Sequence, residues 1–294
     1  MKIYDCTTYY SEDLMLDIRF HVLTEYVHKF VVVESVFSHS GERKKLNFDI
    51  NRFGKFKDKI NYIVIDKEPE GINFVNEKNI TSIIKRSNSL KRIEQSYDFM
   101  QKGIKDASDE DLIILSDNDE IPNLKSNQFK NCNKKLIIFK QLFFYYKFNL
   151  LYDLMFWHGS KACKKKDLKS FTWLRYLKSK EYLPWRLDTY FTNSKYINLE
   201  IIHNGGWHFT NVKTPEELYI KLKNFGHHNE FDESNITLDL LKKQILEHKV
   251  HYNHFADKKS ENKYEFTHKL KKSDMKILPE YLQSNKEKYI EWFA

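Results

Sequence analysis

Cysteine is scarce in this 294-residue chain: only Cys6, Cys132 and Cys163 occur, far apart in the sequence. An odd, sparse set argues against a disulfide scaffold and a cysteine metal site, and it fits a reducing compartment. Cys6, at the end of an apolar strand pattern, is expected as a small buried residue. Long apolar runs are missing as well. None approaches the ~20 residues needed to cross a bilayer, so no membrane span is expected. The opening Met1-Lys2-Ile3-Tyr4-Asp5 begins directly in a strand-like pattern, without a charged segment leading into an apolar signal core. A cytoplasmic location is the expectation. Neither a Gly-x-Gly-x-x-Gly loop nor a phosphate-binding Gly-Lys-Thr loop is present. Internal repeats and long low-complexity linkers are absent.

What is present describes a soluble globular protein. Hydrophobic residues make up 41% and charged residues 31% of the chain. Its 49 basic and 41 acidic side chains leave a net charge of +8, which suits polyanions or nucleotide-linked substrates without choosing between them. Aromatics reach 15%; their faces stack on sugars and bases, and most often they simply pack a core.

Strand and helix signals alternate over the first 120 residues. Lys2 to Cys6 reads as a short strand. Ser11 is placed to cap a helix, with Glu12 and Asp13 in its first turn where the helix dipole favours negative charge. Leu14, Ile18 and Val22, widened by Leu16, Phe20, Leu23 and Val27, form a helical stripe that packs on a sheet. Phe30 to Val33, closed by Glu34, reads as a buried parallel strand, and Ile60 to Ile65 as a third. A helix from about Ser89 to Ile104 precedes the fourth strand. This alternation predicts an α/β fold: a doubly wound, mixed, mostly parallel sheet flanked by helices, with ligands at the carboxyl ends of the strands. Glu34, the turn Ser38-His39-Ser40-Gly41 and the segment Asp117 to Glu120 would share that edge. Further on, Lys135 to Phe148 reads as a long strand, Pro215 opens a helix after Thr214, and Leu238 to Lys249 forms another. From Asp257 onward a polar tail or edge helix is expected. One continuous domain, 1–294, is preferred over two.

The chemistry concentrates in Asp111-Leu112-Ile113-Ile114-Leu115-Ser116-Asp117-Asn118-Asp119-Glu120-Ile121-Pro122. An apolar strand runs into three carboxylates within four residues, and Pro122 stops a normal ladder. Like charges that close repel unless a cation or hydrogen-bond donors neutralise them. Asp-x-Asp at the carboxyl end of a strand suits a hard divalent cation, Mn²⁺ or Mg²⁺, that also grips a diphosphate.

Several pieces together resemble glycosyltransferase family 17. They are Ile3-Tyr4-Asp5-Cys6 with Glu12 to Arg19, then Phe30-Val31-Val32-Val33-Glu34 with His39-Ser40-Gly41. Ser116-Asp117-Asn118-Asp119-Glu120-Ile121-Pro122 and Gly205-Gly206-Trp207-His208-Phe209 follow, and the helix after Pro215 comes in the family's order. In the helix before the Asp-x-Asp strand, where the family usually carries Gln-Arg, this chain reads Glu94-Gln95-Ser96-Tyr97. The resemblance implies a GT-A-like fold, a nucleotide-sugar donor (UDP-N-acetylglucosamine first), a glycan acceptor and inversion at the anomeric carbon. On this reading residues 1–122 are the nucleotide-binding half, 123–256 the acceptor side and 257–294 the tail. Asp119, with Asp117 and His208, would hold the metal; Asp117 could instead meet the ribose. Trp207 would stack on a sugar, and Glu34, His39 and Ser40 would contact the nucleotide. Glu120 either orients the aspartates or caps the turn. An inverting transfer needs a general base. Asp188, in Trp185-Arg186-Leu187-Asp188-Thr189-Tyr190, is the first candidate for it, with Glu120 and Glu200 as rivals.

Other constellations read more weakly. His248-x-x-His251-x-x-His254 and His227-His228 lack metal-site spacing with a partner cysteine. Arg175 and Arg186 are phosphate ligands or ion-pair residues. Two other classes stay open. A phosphohydrolase can use Asp-x-Asp as nucleophile and acid, usually on its first strand rather than its fourth. A basic, aromatic module can bind single-stranded nucleic acid without catalysis, although no nucleic-acid partner is expected.

Overall fold

The computed structural model describes residues 1–73, 81–224, 231, 234, 236–250, 252–255 and 266–294. In chain order the elements are β1 (Ile3–Tyr9), α1 (Asp13–Leu23), β2 (Lys29–Ser35), β3 (Ile60–Ile65), α2 (Ser82–Asp98), β4 (Leu112–Ser116), β5 (Glu120–Pro122), α3 (Asn127–Lys130), β6 (Leu136–Tyr145) and β7 (Leu150–Leu151). They continue with β8 (Trp157–Lys164), α4 (Phe171–Tyr176), β9 (Leu199–Ile202), β10 (Gly206–Thr210), α5 (Pro215–Asn224), α6 (Leu238–Leu246), β11 (Lys249–Val250), β12 (His268–Lys269), β13 (Lys271–Lys272) and α7 (Glu280–Ser284).

One sheet of 11 strands runs β13-β7-β6-β8-β4-β1-β2-β3, with β9 and β10 also paired to β6, and β5 to β10. The half built from β3, β2, β1 and β4 is wholly parallel. β2 and β4 carry continuous buried apolar runs, Phe30 to Val33 and Leu112 to Leu115, because both of their faces are covered. Alternation then sorts their side chains: Phe30 and Val32 face one core with Leu16 and Phe20 of α1, while Val31 and Val33 face another with Tyr97 of α2 and with Met100. Beyond β4 the sheet turns mixed, as β8 runs antiparallel to both β4 and β6. This is the doubly wound, mixed, mostly parallel architecture that the sequence predicts.

Three expectations need correcting. Ser11 does not cap α1; Glu12 holds that position, and its carboxylate accepts the N–H groups of Tyr10 and Ser11 at 3.0 Å each. Glu34 lies inside β2 rather than closing it. The carboxyl-terminal segment is no loose tail where it is described. Leu278, Leu282 and Tyr289 are buried in the same core as α1. The first residues of that segment, 257–265, lie outside the described residues. Cys6, Cys132 and Cys163 are free thiols, and Cys6 is buried. Among the described residues no helix is long and apolar enough to cross a membrane.

Candidate active site

β4 ends at Ser116 and β5 begins at Glu120, so Asp117, Asn118 and Asp119 form the connection at the carboxyl end of the fourth strand. The turn is closed twice. Glu120 N–H donates to the Asp117 carbonyl at 3.0 Å, and Asp117 N–H donates to Glu120 Oε2 at 2.9 Å. Beneath it lies Arg19 of α1, fully buried. Its Nε and Nη2 donate to both oxygens of Asp5, at 2.6 and 2.5 Å, and its Nη1 donates to the Glu120 carbonyl at 2.5 Å and the Asp117 carbonyl at 3.4 Å. Sequence reasoning gave Arg19 no role. An arginine on an otherwise apolar helical stripe is the signal that could have exposed it, because burying a guanidinium requires a partner.

Glu120 is fully buried and its carboxylate is committed. Oε1 accepts Trp157 Nε1 at 2.7 Å and faces Arg175 Nη1 at 3.2 Å, while Oε2 holds the turn. Both Glu120 oxygens are thus engaged within the protein, one closing the turn and the other meeting Trp157 and Arg175. Glu200, on β9, accepts Gln128 Nε2 at 3.2 Å. Asp188 sits on an outer loop, paired with Arg186 and Lys195 at 2.7 Å each, and no contact joins it to the Asp117–Glu120 turn among the described residues.

Asp117 and Asp119 diverge. Asp117 faces Arg175 Nη2 at 2.5 Å and accepts the Tyr97 hydroxyl at 3.1 Å. Burial raises its carboxyl pKa, Arg175 pulls it back, and the Glu120 and Asp119 carboxylates add to the rise, leaving it at about 6. Thus Asp117, expected as a metal ligand, is held by the chain's own cation, and Arg175 is an ion-pair residue. Asp119 places Oδ1 3.4 Å from His208 Nε2. Burial raises its pKa, but His208 and Lys221 outweigh that, so it lies well below the ordinary carboxylate range.

His208 arrives through strand pairing: β10 runs antiparallel to β5 with His208 opposite Glu120. Its ring stacks on Phe143, centroids 4.7 Å apart at 9°, and leans on Trp157 at 4.7 Å. Nδ1 is buried without a hydrogen-bond partner among the described residues. Two glycines permit this approach, to the chain's own backbone rather than to a ligand. Gly206 has φ +115°, and a Cβ there would stand 2.2 Å from the Ile121 carbonyl oxygen. Trp207 points the other way. Its Nε1 donates to the Ile277 carbonyl at 2.6 Å and its ring joins the main core, so the expected sugar stacking is not what this geometry offers.

A cleft of about 240 Å³ opens beside Asp119. Glu12, Phe209, Lys213 and Lys221 are among its walls. Lys213 Nζ lies 3.6 Å from Glu12, and Lys221 donates to Asn211 at 3.3 Å. Burial raises the Glu12 pKa, yet the two lysines and the N–H groups of Ser11 and Tyr10 hold it below its usual value. Sequence reasoning missed both lysines, because only the pairing of β10 with β5 brings α5 to the aspartates. A second cavity, about 340 Å³ and walled by Asp13, Arg52 and Lys288, holds none of the candidate residues.

The remaining candidates are held apart from this cleft. Glu34 is fully buried, accepting Lys44 Nζ, the Asn47 and Phe48 N–H groups at 2.8 and 3.1 Å, and the Tyr62 hydroxyl at 2.7 Å. It organises the 44–48 loop and has no oxygen left for a nucleotide. The His39 carbonyl accepts Arg92 Nη1 at 3.3 Å, and Ser40 Oγ lies 2.7 Å from Ser38 Oγ. Arg92 of α2 also grips Glu68 with two bonds of 2.8 Å, under Gly41 at φ +103°. His254 is turned into an aromatic cluster and bonds the Tyr145 hydroxyl; His227, His228 and His251 lie outside the described residues.

The donor set can be tested against a divalent metal. No trio of His, Cys, Asp or Glu is gathered for one among the described residues. The Asp119 carboxylate and the His208 imidazole do form a pair through Nε2, and His208 Nδ1 has no partner among the described residues. One or two protein ligands with substrate phosphates and water completing the shell is a normal arrangement for Mg²⁺-type sites. Asp119 and His208 therefore fit such an ion; Asp117, as placed, does not.

A family model, glycosyltransferase family 17, matches residues 1–292. No curated protein matches the chain. Among solved structures, HddC from Yersinia pseudotuberculosis is similar at 12% identity, over 69% of this chain and 91% of that one, with a TM-score of 0.33. A putative glucose-1-phosphate thymidylyltransferase from Bacillus anthracis is similar at 10% identity, over 69% and 87%, with a TM-score of 0.33. Likenesses that slight carry no argument.

Proposed function

Because the chain belongs to glycosyltransferase family 17, we propose that it is a metal-dependent, inverting transferase moving N-acetylglucosamine from UDP-N-acetylglucosamine to a glycan hydroxyl. The observation that carries the reading is Asp119, which lines a cleft shared with Lys213 and Lys221 and lies 3.4 Å from His208 behind it. The choice of donor sugar follows the family resemblance alone.

On this reading Asp119 and His208 would hold Mn²⁺ or Mg²⁺, which when bound supplies Lewis-acid stabilisation of the departing nucleoside diphosphate. The chain's own residues do the rest. Lys213 and Lys221, which line the same cleft, would offer cations to the diphosphate. Glu120 fixes the turn against Trp157 and Arg175, so that Asp119 keeps its place as charge develops. Arg175 neutralises Asp117, which removes a competing anion from beside the leaving group.

The test is a thermal-shift panel of UDP-, GDP- and dTDP-sugars with and without Mn²⁺, followed by product analysis. The expected outcome is a metal-dependent shift with UDP-N-acetylglucosamine and release of UDP. Asp119→Asn should abolish both while its unliganded melting temperature stays near the parent's. Turnover unchanged in excess chelator would refute the metal assignment, and release of inorganic phosphate from simple esters would favour a phosphohydrolase.

A further inference from the structure

The chain leaves the site at Arg175 and enters an excursion that returns at Ser194, where Lys178 N–H donates to the Ser194 carbonyl at 2.8 Å. The loop is braced as well as closed. Trp173 Nε1 donates to the Asn193 carbonyl at 2.8 Å, Lys195 pairs with Asp188, and the Glu181 carboxylate accepts Ile201 N–H at 3.1 Å. A braced loop normally turns its apolar side chains inward. Here Leu183, Trp185, Leu187, Tyr190 and Phe191 are between 56% and 88% exposed. Single exposed apolar residues need no explanation, but five within nine residues do.

The charges around them are informative. Asp188 is paired with Arg186 and Lys195, while Glu181 keeps its charge and accepts a backbone N–H, so the 178–194 segment carries three basic and two acidic side chains. Lys178 and Lys180 are exposed and show no ion pair among the described residues, Lys180 lying 6.0 Å from the Tyr182 ring centroid. The loop therefore offers Trp, Tyr, Phe and Leu interleaved with the exposed ammonium groups of Lys178 and Lys180, in a small net excess of positive charge. Leu183 and Leu187 have no flat face for a sugar ring, whereas the whole mixture matches the interfacial zone of a bilayer. There aromatic rings sit at headgroup depth, and lysines reach anionic phosphates.

We propose that the 178–194 loop docks the protein peripherally on an anionic lipid surface, with Trp185 and Phe191 entering the headgroup layer and Lys178 and Lys180 meeting lipid phosphate. The assignment does not depend on which sugar is transferred.

The test is flotation of the full chain with vesicles of phosphatidylcholine alone and of equimolar phosphatidylcholine and phosphatidylglycerol, with Trp emission recorded in parallel. The expected result is flotation with the anionic vesicles and a blue shift. About tenfold weaker binding should follow from Lys178→Glu/Lys180→Glu, and a similar loss from Trp185→Ser/Phe191→Ser. Both variants alter exposed side chains, so their melting temperatures should match the parent's. No flotation of the parent with anionic vesicles would overturn the proposal. So would undiminished flotation of the aromatic variant. Vesicle binding that persists in that variant while turnover of a soluble oligosaccharide falls would assign the loop to the acceptor instead. A concentration-dependent dimer, lost in the variant and formed without any vesicle binding, would assign it to a second copy of the chain.

Discussion

Replacing Arg19 by methionine should destabilise the protein and loosen the candidate site together. The side chain is entirely buried; its bidentate bonds to Asp5 and its bonds to the Glu120 and Asp117 carbonyls are all internal. Methionine keeps the volume but leaves the Asp5 carboxylate uncompensated and two turn carbonyls short of a donor. Removing one partner of a buried pair costs about 3–5 kcal/mol. At about 2.1 cal/mol/K of unfolding entropy per residue, a chain of this length loses about 1 °C for each 0.6 kcal/mol, so its melting temperature should fall by about 5–8 °C. Differential scanning calorimetry reads this directly. The double variant Asp5→Leu/Arg19→Met removes both charges and should recover part of the loss, a non-additivity expected only if the two side chains interact. At a temperature where Arg19→Met remains folded, metal-dependent donor binding should also weaken, because the Asp117–Glu120 turn has lost its support. A melting temperature within about 1 °C of the parent, or strictly additive effects in the cycle, would refute the reasoning.

Gly206→Ala should cost about 3 kcal/mol in urea denaturation, since it combines a φ of +115° with a Cβ 2.2 Å from the Ile121 carbonyl oxygen. It should also separate His208 from Asp119, so metal-dependent donor binding should fall further than in a surface variant of equal stability. His254 is held neutral by burial and the nearby His208, with its pKa lowered to about 4. The unfolded chain, with histidine near 6.5, then binds more protons between those values, so stability should drop as pH falls from about 6.5 to 4, by about 1.4 kcal/mol per pH unit at most. The difference in stability between parent and His254→Gln across that window isolates the effect, and parallel pH profiles would remove His254 as its source.

The parallel half of the sheet was legible because strands covered on both faces must be apolar throughout. Phe30 to Val33 and Leu112 to Leu115 carry that requirement openly, whereas the edge strand Ile60–Ile65 includes Asn61 and is partly exposed. The Asp-x-Asp turn was legible from the apolar run before it, which ends at Ser116; Pro122, read as the stop of that ladder, lies instead in β5, paired with Gly206. Helix α5 began at Pro215 as read, because Pro fits a first helical position. The site's side-chain partners were another matter. Glu34 reads as a charged strand end, yet Lys44, Asn47, Phe48 and Tyr62 close around it from later segments. Trp207 and His208 are adjacent, but a strand turns neighbouring side chains to opposite faces, so one joined the core beside Ile277 and the other met Asp119.

From its residues alone the chain fixed local matters: which runs are strands, where the acidic turn falls, and that no apolar stretch is long enough to span a bilayer. Tertiary structure decided which carboxylates remain available. Asp117 and Asp119 are equivalent in the sequence, but Arg175, 58 positions downstream, neutralises the first, while β10 brings His208 to the second. The reason is physical. A carboxylate's role follows from the charges and donors within a few ångströms of it, and those are set by strand pairing and helix docking between segments distant in the chain.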